Sequence, residues 1–169
     1  MTMKHCLIFF LALWVSLCAV AQRNRIYVDD FEVAPGSTVV VPVMLANQDT
    51  TRGAQFNVTL PPGLRFVEMN LTKYAERLKF VYNKTLKDGV CNVMIYQVGP
   101  ACFVPGDTAI AEITLQAEDT FVGGGITMWK CRGATMDNRS IIMDGVTAVA
   151  SVPMKAQGST FLDAGSADN

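Results

Sequence analysis

The residues able to do chemistry in this chain are few, and their types narrow the field at once. His5 is the only histidine, and it sits in an apolar leader that export would remove. The exported chain then has no imidazole for a Ser-His-Asp triad, a Cys-His pair or a histidine metal site. Acid–base chemistry by carboxylates alone, as in glycosidases, needs two acids converging in a cleft. Asp29, Asp30 and Glu32 stand together, as do Glu118 and Asp119, but both groups fall at a strand end or a turn, where acids are solvated. A calcium loop needs several oxygen ligands at short spacing. Asp137-Asn138 with Asp144 is the nearest approach, and turn chemistry explains it better. No glycine-rich phosphate cradle precedes a helix. The expectation is a protein without catalytic residues, metal or cofactor.

The leader begins with Lys4, runs through an apolar stretch from Leu7 to Val20 and closes on Ala19-Val20-Ala21 before Gln22. A basic start, a short apolar centre and a small-x-small end describe a secretory signal peptide over residues 1–21. The apolar stretch is shorter than the ~20 residues that span a bilayer comfortably. Leu17 stands before Cys18 where lipoprotein processing wants a small residue, so lipid attachment at Cys18 is disfavoured. The exported chain is expected to carry no membrane span, and to be secreted, periplasmic or held at the cell surface.

Half of the 169 residues are hydrophobic, only 17% are charged, and the net charge is −1. That is the composition of a folded domain. Basic residues form no cluster along the sequence, so nucleic acid is not an expected partner.

Alternation with period 2 dominates, and no long stretch holds a helical stripe. Expected strands run from Arg25 to Val33, Thr38 to Ala46, Ala54 to Leu60, Leu64 to Leu71, Lys79 to Asn83, Val90 to Val98, Ala109 to Ala117, Ile126 to Gly133 and Val146 to Val152. Lys73 to Leu78 could form one helical turn. Pro42 cannot donate a ladder hydrogen bond, which places its strand at an edge or a bulge. About eight or nine strands separated by turn signals imply an all-β fold, a two-sheet antiparallel β-sandwich. Phe56, Val58, Val93, Ile95, Ile113 and Leu115 are expected between the sheets. The domain is expected over residues 22–155, followed by a disordered polar tail over 156–169 rich in Gly, Ser, Ala and Asp.

Strand directions bear on the remaining cysteines, Cys91, Cys102 and Cys131. An up-down-up course puts the loop from Gly99 to Asp107 and the end of the Ile126 to Gly133 strand at one pole. Cys91 starts its strand at the other. A bridge needs Cα atoms closer than ~7 Å, so a Cys102–Cys131 disulfide is expected, with Cys91 a buried free thiol.

The order of short motifs resembles the cohesin family, secreted sandwich modules that bind dockerins in cellulosome-like assemblies. The likeness spans residues 26 to 152. Its pieces are Ala34-Pro35-Gly36-Ser37-Thr38-Val39-Val40-Val41-Pro42-Val43, Gly53-Ala54-Gln55-Phe56-Asn57-Val58-Thr59-Leu60, Lys79-Phe80-Val81-Tyr82-Asn83, Asp88-Gly89, Gly106-Asp107-Thr108-Ala109-Ile110-Ala111-Glu112-Ile113 and Asp144-Gly145-Val146. The resemblance implies a cohesin-like sandwich of jelly-roll or Ig-like topology and a bacterial source. It also implies a protein partner, of the dockerin-bearing kind, on the outer face of the sheet formed by the eighth, third, sixth and fifth strands. Carried across strand by strand, that face would show Gln55, Asn57, Tyr82, Met94, Tyr96 and Gln97. Cohesins often carry a carboxylate where this chain has Asn57.

The main alternative is a carbohydrate-binding module, with an adhesin or structural surface domain behind it. Sugar recognition wants exposed aromatic rings. Trp129 is the one tryptophan beyond the leader, and mid-strand, with Thr127 and Cys131 on the same side, it is expected in the core. A mixed face of Tyr, Met and amides favours a protein partner.

Overall fold

Alternation of apolar and polar residues becomes two stacked sheets in the computed structural model, which describes residues 24–87 and 89–153. The expected signal peptide and polar tail lie outside the described residues. In chain order the strands are β1 (Arg25–Tyr27), β2 (Phe31–Glu32), β3 (Thr38–Asn47), β4 (Thr51–Thr59), β5 (Leu64–Leu71), β6 (Val81–Lys87), β7 (Val90–Tyr96), β8 (Gly106–Ala117), β9 (Gly124–Thr135), β10 (Ser140–Ile142), β11 (Asp144–Gly145) and β12 (Thr147–Ser151). One short helix, α1 (Lys73–Arg77), joins β5 to β6.

The five-stranded sheet has the order β11-β1-β3-β8-β5, and the second has β2-β12-β9-β4-β7-β6 with β10 also paired to β9. The fold is therefore the all-β sandwich that the alternation implies. Its long pairings are antiparallel, and only the short contacts of β1 with β11 and β2 with β12 are parallel. The strand expected over Arg25 to Val33 is two strands in different sheets. Ile26 and Val28 keep one phase, Asp29-Asp30 interrupts it, and the chain crosses over before Phe31 pairs with Ala150. The side chain of Asp30 then accepts the Val149 amide at 2.7 Å.

Pro42 sits opposite Glu112 of β8, while β1 covers only the far end of β3, at Met44 to Ala46. At Pro42 the strand is thus a local edge, and its missing N–H disrupts no second ladder. Phe56, Val58, Val93 and Ile95 from one sheet meet Val43, Leu45, Ile113 and Leu115 from the other, all fully buried. Each such side chain is worth about 1.5–3 kcal/mol of burial.

The open side between the edge strands β5 and β6 is closed by side chains. The Tyr82 hydroxyl donates to the Met69 carbonyl at 2.6 Å, and the Lys84 ammonium lies 4.9 Å from the Phe66 ring centre. Phe80 stacks on Phe103 at 3.9 Å and Tyr74 of α1 leans on the same ring, so the helical turn and the β7–β8 loop plug one pole. No helix among the described residues is long and apolar enough to cross a membrane.

Candidate functional site

The β9-β4-β7-β6 half of the second sheet presents an outer face, and strand register decides what it shows. Gln55 is the Cα partner of Met94 and of Arg132, and Gly53 is the partner of Tyr96 and of Ala134. On β6, Val81 is opposite Tyr96 and Asn83 opposite Met94. Met94 and Tyr96 are 43% and 41% exposed, and Val81, Arg132 and Ile142 are exposed beside them.

A trough of about 270 Å³ runs across this face, walled by Met94 and Tyr96 on one side and by Arg132, Asn138 and Ser140 on the other. Its floor is low because Gly53 and Ala134 lie side by side. Gly53 is also required for strand approach: a Cβ there would stand 2.9 Å from the Ile95 carbonyl oxygen.

Of the six residues assigned to this face from the sequence, Gln55, Met94 and Tyr96 line the trough. Asn57 points outward but is only 8% exposed. It is covered between Trp129 and Asn92, its cross-strand partners, and its side-chain oxygen accepts from the Asn92 amide at 2.6 Å.

Tyr82 and Gln97 are not on this face. Tyr82 is opposite buried Ile95, so it points between the sheets, where its hydroxyl is held by β5. The parity of Phe80 carries this signal, since residues two apart share a face. Gln97 continues the inward phase of Val93 and Ile95. Its amide nitrogen donates to the Leu78 carbonyl, and its oxygen accepts from Gly99 N–H at 2.9 Å. Tyr96 and Gln97 are adjacent in the chain and cannot share a face in extended structure.

Trp129 reverses the expectation of core packing. Lys130 has φ of 51°, and Lys130 with Cys131 opposes the single residue Phe56, since Gln55 pairs Arg132 and Asn57 pairs Trp129. This bulge shifts the phase of β9. Trp129 goes outward, although Cys131 two residues later goes into the core. The indole N–H donates to Thr59 Oγ1 at 3.0 Å, and the Lys130 ammonium covers the ring at 4.9 Å from its centre. Beyond the bulge Cys131 points inward and Arg132 outward to the trough.

Cys91, Cys102 and Cys131 are free thiols, which corrects the expected Cys102–Cys131 bridge. Phe103, next to Cys102, pairs with Thr51, whose other neighbour is Thr135. Cys131 lies four residues down β9 from that level, ~13 Å away at ~3.3 Å per residue, well beyond bridging reach. Cys131 and Cys91 are buried. Burial, and secondarily the Asp144 carboxylate, pushes the Cys131 thiol up to about 11, and burial raises Cys91 as well.

The acidic groups weighed for chemistry are dispersed or engaged. Glu118 pairs with Arg65 at 3.4 Å. Asp137 accepts from the Thr135 hydroxyl and from Arg139 Nε at 2.6 Å, and these two donors hold its carboxyl below the usual range. Among the described residues no three of His, Cys, Asp and Glu gather as a metal site.

The class is set by this geometry: a two-sheet sandwich with the strand order β9-β4-β7-β6 in one sheet and a flat, partly apolar outer surface upon it. No protein-family model and no curated protein sequence matches the chain. Solved structures do, and cohesin modules from several organisms are among them. A non-cellulosomal cohesin from Archaeoglobus fulgidus superposes with a TM-score of 0.64 at 14% identity, over 78% of this chain and 91% of that one. The sixth cohesin of scaffoldin B from Acetivibrio cellulolyticus, solved in complex with a dockerin, gives 0.66 at 16% identity, over 78% and 99%. The cohesin module of a family 33 glycoside hydrolase from Clostridium perfringens gives 0.66 at 10% identity, over 78% and 98%. The fold of this chain is cohesin-like.

Proposed function

We propose that the chain is an exported, non-catalytic binding module that takes a protein partner of the dockerin kind on the outer face of β9-β4-β7-β6. The observation that carries this reading is the exposed row of Val81, Tyr96 and Met94 beside a trough whose floor is Gly53 and Ala134. Exposed Tyr and Met beside a polar rim is interface chemistry. The Acetivibrio cohesin, recorded with a dockerin bound, supports the choice of partner class. A carbohydrate platform is the weaker reading, because the Trp129 ring is covered by Lys130 and its N–H is already bonded. Export rests on the leader that ends at Ala21.

The test is titration calorimetry of the exported protein against a panel of purified dockerin modules, paired with affinity electrophoresis in gels containing polysaccharides. Binding of a dockerin, abolished by Ala134→Leu in the trough floor, is the expected result. Retardation by polysaccharide with no dockerin bound would transfer the face to sugar recognition. N-terminal sequencing of the protein recovered outside the cell should begin at Gln22.

A further inference from the structure

The two sheets differ in charge. In the sheet that holds the trough, the acid among the strands is Glu32 of the two-residue edge strand β2, while β4, β6, β7, β9, β10 and β12 contain no Asp or Glu and carry Arg52, Lys84, Lys87, Lys130 and Arg132. The opposite sheet holds the strand acids Glu68, Asp107, Glu112 and Asp144 against Arg25 and Arg65. A chain with a net charge of −1 thus divides into a cationic face and an acidic one. Lys84 turns inward over Phe66, but register and exposure put Lys130, Arg132 and Lys87 on the outer side.

The ion pairs among the described residues are Arg25–Asp107, Arg65–Glu118 and Arg139–Asp137. Lys130 and Arg132 take part in none of them. Asp137, the acid at the β9–β10 turn, is already occupied by Arg139 and Thr135. Arg132 is therefore a guanidinium at the wall of an apolar trough with no carboxylate supplied by β4, β7 or β10 around it.

We infer that the partner presents an acidic segment, with an apolar side chain seated in the trough over Gly53 and Ala134 and a carboxylate beside it paired to Arg132. This assignment rests on the proposed role of the same face in binding a protein. The trough, at about 270 Å³, falls below the roughly 300 Å³ at which small-molecule pockets begin, and suits one anchoring side chain of a larger partner. An apolar seat adjoining a bidentate donor selects a peptide over a plain polyanion, because a glycan acid has no apolar group to place against Met94 and Tyr96. The cations at the rim steer the acidic partner in and reject basic competitors.

The experiment uses the exported protein against a displayed library of random peptides spanning strongly negative to strongly positive net charge. Enriched peptides are then synthesised and titrated at low and high salt, with soluble polygalacturonate as the glycan probe. Acidic peptides with a large apolar residue next to Asp or Glu should be enriched. Their affinity should fall by about tenfold or more in Arg132→Glu and with added salt, and be unchanged in Arg65→Glu on the other sheet. Lys130→Glu should weaken the same peptides less, since it lies at the rim. Arg132→Gln serves where Arg132→Glu fails to fold, with thermal melting as the check. Enrichment of neutral or basic peptides, or affinity indifferent to Arg132, overturns the inference. So does Arg132-dependent binding of polygalacturonate with no acidic peptide enriched. A dockerin that binds the trough independently of salt and Arg132 leaves the binding role standing and removes the acidic partner. Acidic peptides bound with every dockerin refused would do the reverse.

Discussion

The hydroxyl of Tyr82 donates to the carbonyl of Met69 at 2.6 Å, joining β6 of one sheet to β5 of the other across the open side of the sandwich. Tyr96, opposite Val81 on the neighbouring strand β7, faces the other way. Two tyrosines that look alike in the sequence therefore do different work. Tyr82→Phe is expected to cost about 1 kcal/mol for the lost hydrogen bond, and Tyr82→Ala about 2–4 kcal/mol with the lost packing. Tyr96→Ala should change stability by less than about 0.5 kcal/mol and remove partner binding. Denaturant melts of the three variants decide it, and equal losses for Tyr82→Ala and Tyr96→Ala would refute the assignment of faces.

Asp144-Gly145-Val146 is where the chain passes between sheets, and Gly145 is the residue that permits it. Asp144 and Gly145 pair with β1, while the Met128 amide donates to the Val146 carbonyl of the same segment at 2.9 Å. A Cβ on Gly145 would collide with the Met128 carbonyl oxygen and stand 3.1 Å from the Trp129 Cα. Those are backbone atoms of a paired strand and have no rotamer to move into. Gly145→Ala should therefore destabilise the domain by about 2 kcal/mol or more, through strain and overpacking. Gly89→Ala is the contrast: the added methyl meets no neighbouring atom, but φ is +75°, so only a backbone cost of about 1–2 kcal/mol is expected. Thermal melts of the pair would check the order.

Sequence periodicity was enough for the sandwich because each long strand has one unambiguous apolar parity. Phe56 and Val58, Val93 and Ile95, Ile113 and Leu115 all went inward, and β5 kept its boundaries from Leu64 to Leu71. The site was less legible where parity is locally confused. In Phe80-Val81-Tyr82 three apolar residues run together, so the phase must be taken from Phe80, whose ring is fixed on Phe103. In β9 the phase changes at Lys130, a residue type with no turn preference of its own. A bulge created by pairing opposite Phe56 leaves no mark in local composition. Trp129 was misplaced for that reason, whereas Arg132 keeps the outward phase that alternation from buried Cys131 implies, and β10 and β11 are too short to show a period at all.

Lys130 holds φ of 51°, a left-handed conformation that costs a side chain roughly 1 kcal/mol relative to glycine. Lys130→Gly is therefore expected to leave stability unchanged or raise it slightly, despite removing the ammonium over Trp129. The indole should become more accessible, so acrylamide quenching of its fluorescence should increase. Lys130→Val should destabilise, since a β-branched residue suits that φ poorly. A melting temperature that falls in Lys130→Gly as far as in Lys130→Val would mean that the bulge is not held as described.

The three thiols should separate by burial and by alkaline pH. In native protein, a disulfide reagent at neutral pH should modify half-buried Cys102 first, and reach buried Cys91 and Cys131 only on unfolding. Peptide maps made without reduction should contain no Cys102–Cys131 link. The folded thiol of Cys131 titrates at about 11 against 9.0 for an ordinary one, so between those values the unfolded chain releases a proton that the folded chain keeps. The folded state then binds more protons, and stability falls with rising pH. The contribution is present in full below pH 9 and declines as pH rises through about 11, by on the order of 2–3 kcal/mol if the whole shift is expressed. Cys131→Ala removes this titration, and its urea midpoint should fall less steeply between pH 9 and 11 than that of the parent protein. Parallel slopes for the two would show that the Cys131 thiol does not stay protonated in the core over that range.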